Sequence, residues 1–257
     1  MDRHRHGHFG WVDLMADDVE AQSAFYEDLF GWTHHDEPTS VGIPYRIFAA
    51  DGLDVAGCSP LPPDMRSAGV PTMWNAYVIV DDADAAASRA VELGGRVTMP
   101  AMDVMDSGRM VGITDPVGAT IFLWQPRQHP GAQLYDAPGA LTYCDLNARE
   151  SAPAADFYEA LFGWEVDRSG RHDPNYWGFS VEGAREGGIM LMPPGVPEHT
   201  PAHWLVYFGA EDAGGLTARV PELGGRIVME PMDIGVAVFS VASDPAGAIF
   251  GIMQRRR

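Results

Sequence analysis

Two periodicities alternate along the chain. Residues 9–15 switch between the two faces of an extended segment and predict a strand, after which Asp17-Asp18-Val19-Glu20 offers an N-cap with a carboxylate in the first turn. Ala21, Phe25 and Leu29 then recur at helical spacing until Gly31, a natural stop. Short strands are expected at 45–49 and 55–58, followed by a proline-rich connection over 60–71. A second strand-then-helix unit begins at 74–80, its helix opened by Asp81-Asp82 and closed by Gly94-Gly95, and strands at 110–114 and 119–124 complete the pattern.

This arrangement is written twice. WVDLMADDVEAQSAFYEDLFGW at 11–32 is answered by YCDLNARESAPAADFYEALFGW at 143–164, with 10 of 22 positions identical. VELGGRV at 91–97 returns as PELGGRI at 221–227, and DPVGA at 115–119 as DPAGA at 244–248. Three blocks in the same order mark a duplicated module. The expected division is a first module at 1–127, a linker at 128–138 and a second module at 139–257, each module reading as βαβββ repeated.

Charge narrows the partners. With 17 basic and 36 acidic side chains the formal net charge is −19, which argues against nucleic acid as a partner. Every basic residue is arginine, so Schiff-base lysines, a P-loop lysine and Ser-Lys dyads are all excluded. Cys58 and Cys144 have no C-x-x-C spacing and read as reduced, buried thiols. No apolar run reaches membrane length, so no membrane partner is expected and the protein is read as cytoplasmic.

The acidic helix start, F-Y-x-x-L-F-G-W and the later D-P-x-G, in order and in duplicate, resemble the vicinal oxygen chelate superfamily, which holds glyoxalase I, bleomycin-resistance proteins and extradiol dioxygenases. The tandem form is similar to two-module glyoxalase-like proteins of actinobacteria, some of which accompany hydroxylases in aromatic polyketide pathways. The resemblance implies an α+β fold of two tandem modules, each a pair of βαβββ units forming an eight-stranded cup with helices on the outside. It also implies a divalent metal held by His or Gln on the first strand, His on the fifth and Glu on the eighth. Those positions fall on Trp11, Asn75 and Phe122 in the first module and on Tyr143, Leu205 and Gly251 in the second. Indole, phenyl, isobutyl and hydrogen cannot ligate a divalent cation, and phenol and amide are weak ligands. Neither a metal nor another cofactor is therefore expected.

The histidines do not replace the missing set. His4, His6 and His8 alternate in a charged tail expected to be mobile, and His34-His35 follows a helix stop and reads as solvent-exposed. His199 and His203 are separated by Pro201; His203 is either a strand-end histidine or a residue facing the cup.

Strand alternation supplies the candidate lining. Asp13 shares a face with Trp11, and Asp145 with Tyr143; Asn75 and Tyr77, Tyr207, and Phe122 and Trp124 join them. The paired aspartates are candidate proton acceptors or general bases, or else structural hydrogen-bond acceptors copied by the duplication. Arg109, unmatched in the second module, is either a clamp for an anionic ligand, a partner of Asp13, or a surface residue, and Trp177 lines the second cup's entrance or belongs to the core. Because Gly251 stands where the first module has Phe122, the second cup is expected to be roomier.

The functional expectation is a metal-independent protein binding a small, aromatic metabolite in one or both cups, for sequestration, resistance or hand-over to a biosynthetic partner enzyme. The alternative is an enzyme of the superfamily: a cofactor-free isomerase, cyclase or hydrolase using Asp13 or Asp145, or a lyase or oxygenase with shifted metal ligands. Either would act as a monomer or homodimer.

Overall fold

The computed structural model describes residues 4–40, 42–171 and 173–256. The first repeat runs β1 (Phe9–Ala16), α1 (Val19–Phe30), β2 (Thr33–Glu37), β3 (Tyr45–Ala50), β4 (Leu53–Pro60), α2 (Pro63–Ser67), β5 (Met73–Ile79), α3 (Ala83–Glu92), β6 (Arg96–Val104), β7 (Gly108–Thr114) and β8 (Thr120–Pro126). The second runs β9 (Leu141–Ala148), α4 (Ser151–Phe162), β10 (Glu165–Asp167), β11 (Tyr176–Val181), β12 (Ala184–Leu191), β13 (His203–Gly209), α5 (Ala213–Glu222), β14 (Arg226–Asp233), β15 (Ala237–Ser243) and β16 (Ile249–Arg255). Strand orders are β2-β3-β4-β1-β5-β8-β7-β6 and β10-β11-β12-β9-β13-β16-β15-β14, so each repeat is an eight-stranded mixed sheet made of two βαβββ units. Parallel pairs such as β1 with β4 and β5 with β8 close each unit, and the remaining neighbours within a unit are antiparallel.

Local chemistry explains the helix ends. Asp18 sits extended at φ −132° and accepts from the Ala21 amide, Asp82 does the same for Ala85, and Asp212 for Gly215. Gly31 and Gly163 end α1 and α4 in the left-handed region at φ 72° and 73°, which costs glycine nothing. The expected proline-rich connection contains α2, entered through Pro63, because proline suits a first helical turn.

The chain forms two compact units, each drawing on both repeats. One comprises the chain up to Gly10, Ala76–Gly131 and Tyr143–Leu205; the other comprises Trp11–Asn75, Ala132–Thr142 and from Val206 onward. Inside each, the repeated sequence blocks meet crosswise. In one unit Tyr26, from the first repeat's F-Y pair, receives a hydrogen bond from Trp74 Nε1 (2.8 Å) and donates to Asp244 of the second repeat's D-P-A-G (3.3 Å). In the other Tyr158, from the second F-Y pair, receives one from Trp204 (3.2 Å) and donates to Asp115 of the first repeat's D-P-V-G (2.9 Å). Both tyrosines are fully buried amid aromatic rings, Tyr26 with Trp32, Trp74 and Phe250, and Tyr158 with Phe162, Trp164 and Trp204. Burial, reinforced by the neighbouring aspartate, pushes both phenols well above the ordinary tyrosine range, so they remain donors.

One histidine departs from expectation. His8 is not part of a mobile tail: it is 0% exposed, and its Nδ1 lies 3.2 Å from the equally buried Glu186 carboxylate. The backbone fixes it there, Gly7 donating to Ile79 O and Ile79 to His8 O. Cys58 and Cys144 are buried free thiols, as read from the sequence, and burial pushes Cys58 up to about 12. Among the described residues no helix is long and apolar enough to cross a membrane.

Candidate functional site

Each repeat builds a carboxylate–phenol cluster at the middle of its β1–β4 or β9–β12 pair. In the first, Asp13 lies directly opposite Gly57 on the neighbouring strand. A Cβ at Gly57 would fall 1.9 Å from the Tyr45 hydroxyl, so only glycine lets the Tyr45 side chain lie across the strand. The phenol thereby donates to Asp13 Oδ2 (3.3 Å) while accepting from Trp11 Nε1 (2.8 Å), and Asn75 Nδ2 donates to Asp13 Oδ1 (2.9 Å). Asp13, Trp11 and Asn75 are all buried. In the second, Asp145 lies opposite Gly188, where a Cβ would fall 2.1 Å from the Tyr176 ring. Tyr176 donates to Asp145 Oδ1 (2.9 Å), and its hydroxyl is 2.9 Å from that of Tyr143, which also reaches Gly187 O at 3.0 Å.

The phenols are held protonated. Burial pushes Tyr45 and Tyr176 well above the usual range, and the adjacent aspartate adds to it in each case. Tyr143 is raised by burial and by Asp145, and hydrogen bonds from Tyr176 and Arg185 pull it partly back. Each cluster thus presents a carboxylate acceptor and a phenolic donor side by side, suited to a ligand hydroxyl or carbonyl or to moving a proton between neighbouring oxygens.

The structure brings Trp11, Asp13 and Asn75 together in one unit, and Tyr143 with Asp145 in the other. The remaining candidates have other neighbours. Tyr77 and Phe122 are in register on β5 and β8 and stack at 5.0 Å. Trp124 Nε1 donates to His129 O (3.0 Å), and its ring covers Gly108. The Arg109 guanidinium is engaged by Asp84 (2.7 and 2.9 Å) and Asp103 (3.0 Å), which accounts for its charge as a surface ion-pair network. His203 Nδ1 faces Pro201 O at 2.9 Å. Trp177 carries Arg168 5.7 Å over its ring and lines a shallow pocket with Arg149, Glu150 and Ser151. Tyr207 corrects the expectation of extra room at Gly251: a Cβ there would fall 1.9 Å from the Tyr207 ring, which fills the space the missing side chain leaves.

Strand alternation from Trp11 and Tyr143 does not single out Tyr45 or Tyr176. The signal was present as PYRIF at 44–48 against NYWGF at 175–179, with Gly57 and Gly188 each twelve residues beyond the tyrosine.

The residues at the superfamily's ligand positions do not fit a divalent cation. Trp11 and Asn75 spend N–H groups as donors toward Tyr45 and Asp13, and Phe122 presents a ring to Tyr77. In the second repeat Tyr143 is a protonated phenol, and Leu205 and Gly251 have no donor atom. Among the described residues no group of three or more His, Cys, Asp or Glu could hold a metal ion.

A sequence profile for the Glyoxalase/Bleomycin resistance protein/Dioxygenase superfamily matches residues 8–123 and again 140–252. "Putative glyoxylase CFP32" of Mycobacterium tuberculosis is 40% identical over 98% of this chain and 96% of its own length. "Anthracycline biosynthesis protein DnrV" of Streptomyces peucetius is 33% identical over 100% of this chain and 96% of its own. Among solved structures, the Mn(II)-bound glyoxalase from Novosphingobium aromaticivorans superposes with a TM-score of 0.65 at 15% identity, covering 97% of this chain and 82% of that one. The 2,3-dioxygenase LapB from Pseudomonas sp. KL28 gives 0.64 at 15%, covering 97% and 92%. At that identity the likeness is one of fold.

Proposed function

This chain belongs to the glyoxalase/bleomycin resistance protein/dioxygenase superfamily, and on that premise we propose that it binds a planar, hydroxylated aromatic metabolite at its two carboxylate–phenol clusters without the superfamily's usual metal. The observation that carries this reading is the pair Asp13–Tyr45 and Asp145–Tyr176, each held over a glycine at matching positions of the two repeats. A buried carboxylate beside a protonated phenol complements the hydroxyl and carbonyl groups of a polycyclic hydroxyquinone, while Trp11 and Tyr143 supply flat apolar surface. A relative named for anthracycline biosynthesis supports that ligand class and a role in holding an intermediate or handing it to a partner enzyme.

A second reading is favoured by the same pairs. A carboxylate and a phenol at hydrogen-bond distance are positioned for acid–base isomerisation or cyclisation of such a molecule with no cofactor.

The test is a titration with 1,4-dihydroxyanthraquinone followed by tryptophan fluorescence. Asp13→Asn and Asp145→Asn should each weaken binding at their own site by about 5- to 100-fold, the equivalent of roughly 1–3 kcal/mol, while the protein remains folded. Undiminished binding combined with earlier melting would make the aspartates purely structural. Chromatography of the recovered quinone separates the two readings: conversion that requires the aspartates establishes catalysis.

A further inference from the structure

The duplicated clusters differ at a position that carries charge. On β11, Gly178 follows Tyr176 by two residues and therefore shares its face. A Cβ at Gly178 would fall 2.0 Å from the guanidinium carbon of Arg185 and 2.1 and 2.3 Å from its two terminal nitrogens. The guanidinium thus lies flat on the backbone of β11, on the side where Tyr176 crosses Gly188. A register shift between Phe179 and Ser180 places Ser180 opposite Arg185 and lets the arginine reach that side. There the Arg185 charge pulls the Tyr143 phenol partly back down, which places the guanidinium beside the Tyr143–Tyr176–Asp145 chain of contacts.

In the first repeat the same spacing from Tyr45 puts Ile47 where the second has Gly178, and Asp54 where it has Arg185. Ile47 is buried and fills the place a guanidinium would need. The position has inverted its charge between the two copies while the tyrosine, aspartate and glycine were kept. An anion brought beside Asp145 is repelled unless a cation faces it, and arginine presents a planar fork matched to carboxylate or phenolate oxygens.

We propose that Arg185 makes the second-repeat cluster selective for an aromatic ligand bearing an ionised acid group, a carboxylate or acidic phenolate, while the first-repeat cluster takes neutral hydroxyl and carbonyl groups. This rests on the reading that the carboxylate–phenol clusters bind aromatic molecules, and it adds the charge class that each prefers.

Two probes of the same ring system test it: anthraquinone-2-carboxylate and its methyl ester, titrated into the full chain at neutral pH by tryptophan fluorescence. The wild type should bind the carboxylate about tenfold or more tightly than the ester at one of its sites. Arg185→Gln should erase that preference while the protein remains folded, because Arg185 is exposed. Arg109→Gln, whose arginine is engaged by Asp84 and Asp103, should leave the preference intact. Equal binding of the two probes by the wild type, or a preference that survives Arg185→Gln, overturns the role of Arg185 alone. Failure of the wild type to bind either probe, or undiminished binding of both by the Asp13→Asn/Asp145→Asn double variant, overturns the underlying reading as well.

Discussion

Asp13 and Asp145 occupy the same place in the two repeats, and their surroundings agree in one direction and diverge in another. Toward β3 and β11 the arrangement is constant: a tyrosine lies over a glycine and donates to the aspartate. Toward the superfamily's ligand positions it changes: Asn75 gives Asp13 a second side-chain donor and the Trp11 indole N–H donates to the phenol, whereas Leu205 offers no donor and Tyr143 meets the phenol through its hydroxyl. The constant part needs a backbone without side chains, which substitution cannot easily vary. The variable part needs only some donor or apolar surface, and there the copies have drifted into different chemistry.

The same contrast between copies appears in the core, where the largest effects are expected. Asp244 accepts from Gln22, Tyr26 and the amides of Ala246, Gly247 and Ala248, while Asp115 accepts from Tyr158 and the amides of Val117 and Ala119. Asp244→Ala should cost about 3–5 kcal/mol and Asp115→Ala roughly 2–4 kcal/mol in urea unfolding, since each leaves several buried donors unpaired. Equal losses would mean that the extra contacts from Gln22 and the Gly247 amide contribute nothing.

Smaller and matched losses are expected at the two glycines. Gly57→Ala and Gly188→Ala each drive a methyl into a tyrosine and should cost about 1–3 kcal/mol. Pairing each with truncation of its own tyrosine, Tyr45→Ala or Tyr176→Ala, should recover part of the loss. Absence of that coupling in a double-mutant cycle would show that the two repeats do not share this device.

The smallest effect belongs to the first repeat alone. Arg46 is bound by Glu20 and Asp36 and holds both carboxyls below their ordinary range, chiefly through its hydrogen bonds. Such groups stabilise the fold above their unfolded values of 4.5 and 3.8, and the contribution is lost as pH falls through the lowered folded values. The second repeat has Trp177 at the matching position, so Arg46→Met should flatten the acid limb of a melting-temperature profile while Trp177→Met leaves it unchanged. An unaltered limb in Arg46→Met would assign the acid sensitivity elsewhere.

The duplication and the helix boundaries were legible in the sequence because F-Y, L-F-G-W and D-P-x-G are core contacts whose identity is tightly constrained. Two edge strands of the first repeat were not. β2 is THHDE, exposed throughout and without an apolar alternation, and β6 is mostly exposed, carries Pro100 and twice shifts register against β7. At the site, periodicity put the aspartates beside Trp11 and Tyr143 but gave no hint of the tyrosines. Their reach across a neighbouring strand depends on a glycine twelve residues away, a pairing that no single-strand pattern encodes.

The crossed clasp of F-Y and D-P-x-G carries an evolutionary corollary. Tyr26 finds its acceptor only in the second copy of the motif, and Tyr158 only in the first. An ancestor one repeat long would have carried both halves of the clasp, yet by this geometry could close it only against a second molecule of itself. Fusion of two such genes would then have turned an association between separate chains into a contact within one, no longer dependent on concentration. Once the copies were tied together, one could carry Asp54 and the other Arg185 at matching positions, an asymmetry that identical subunits cannot inherit.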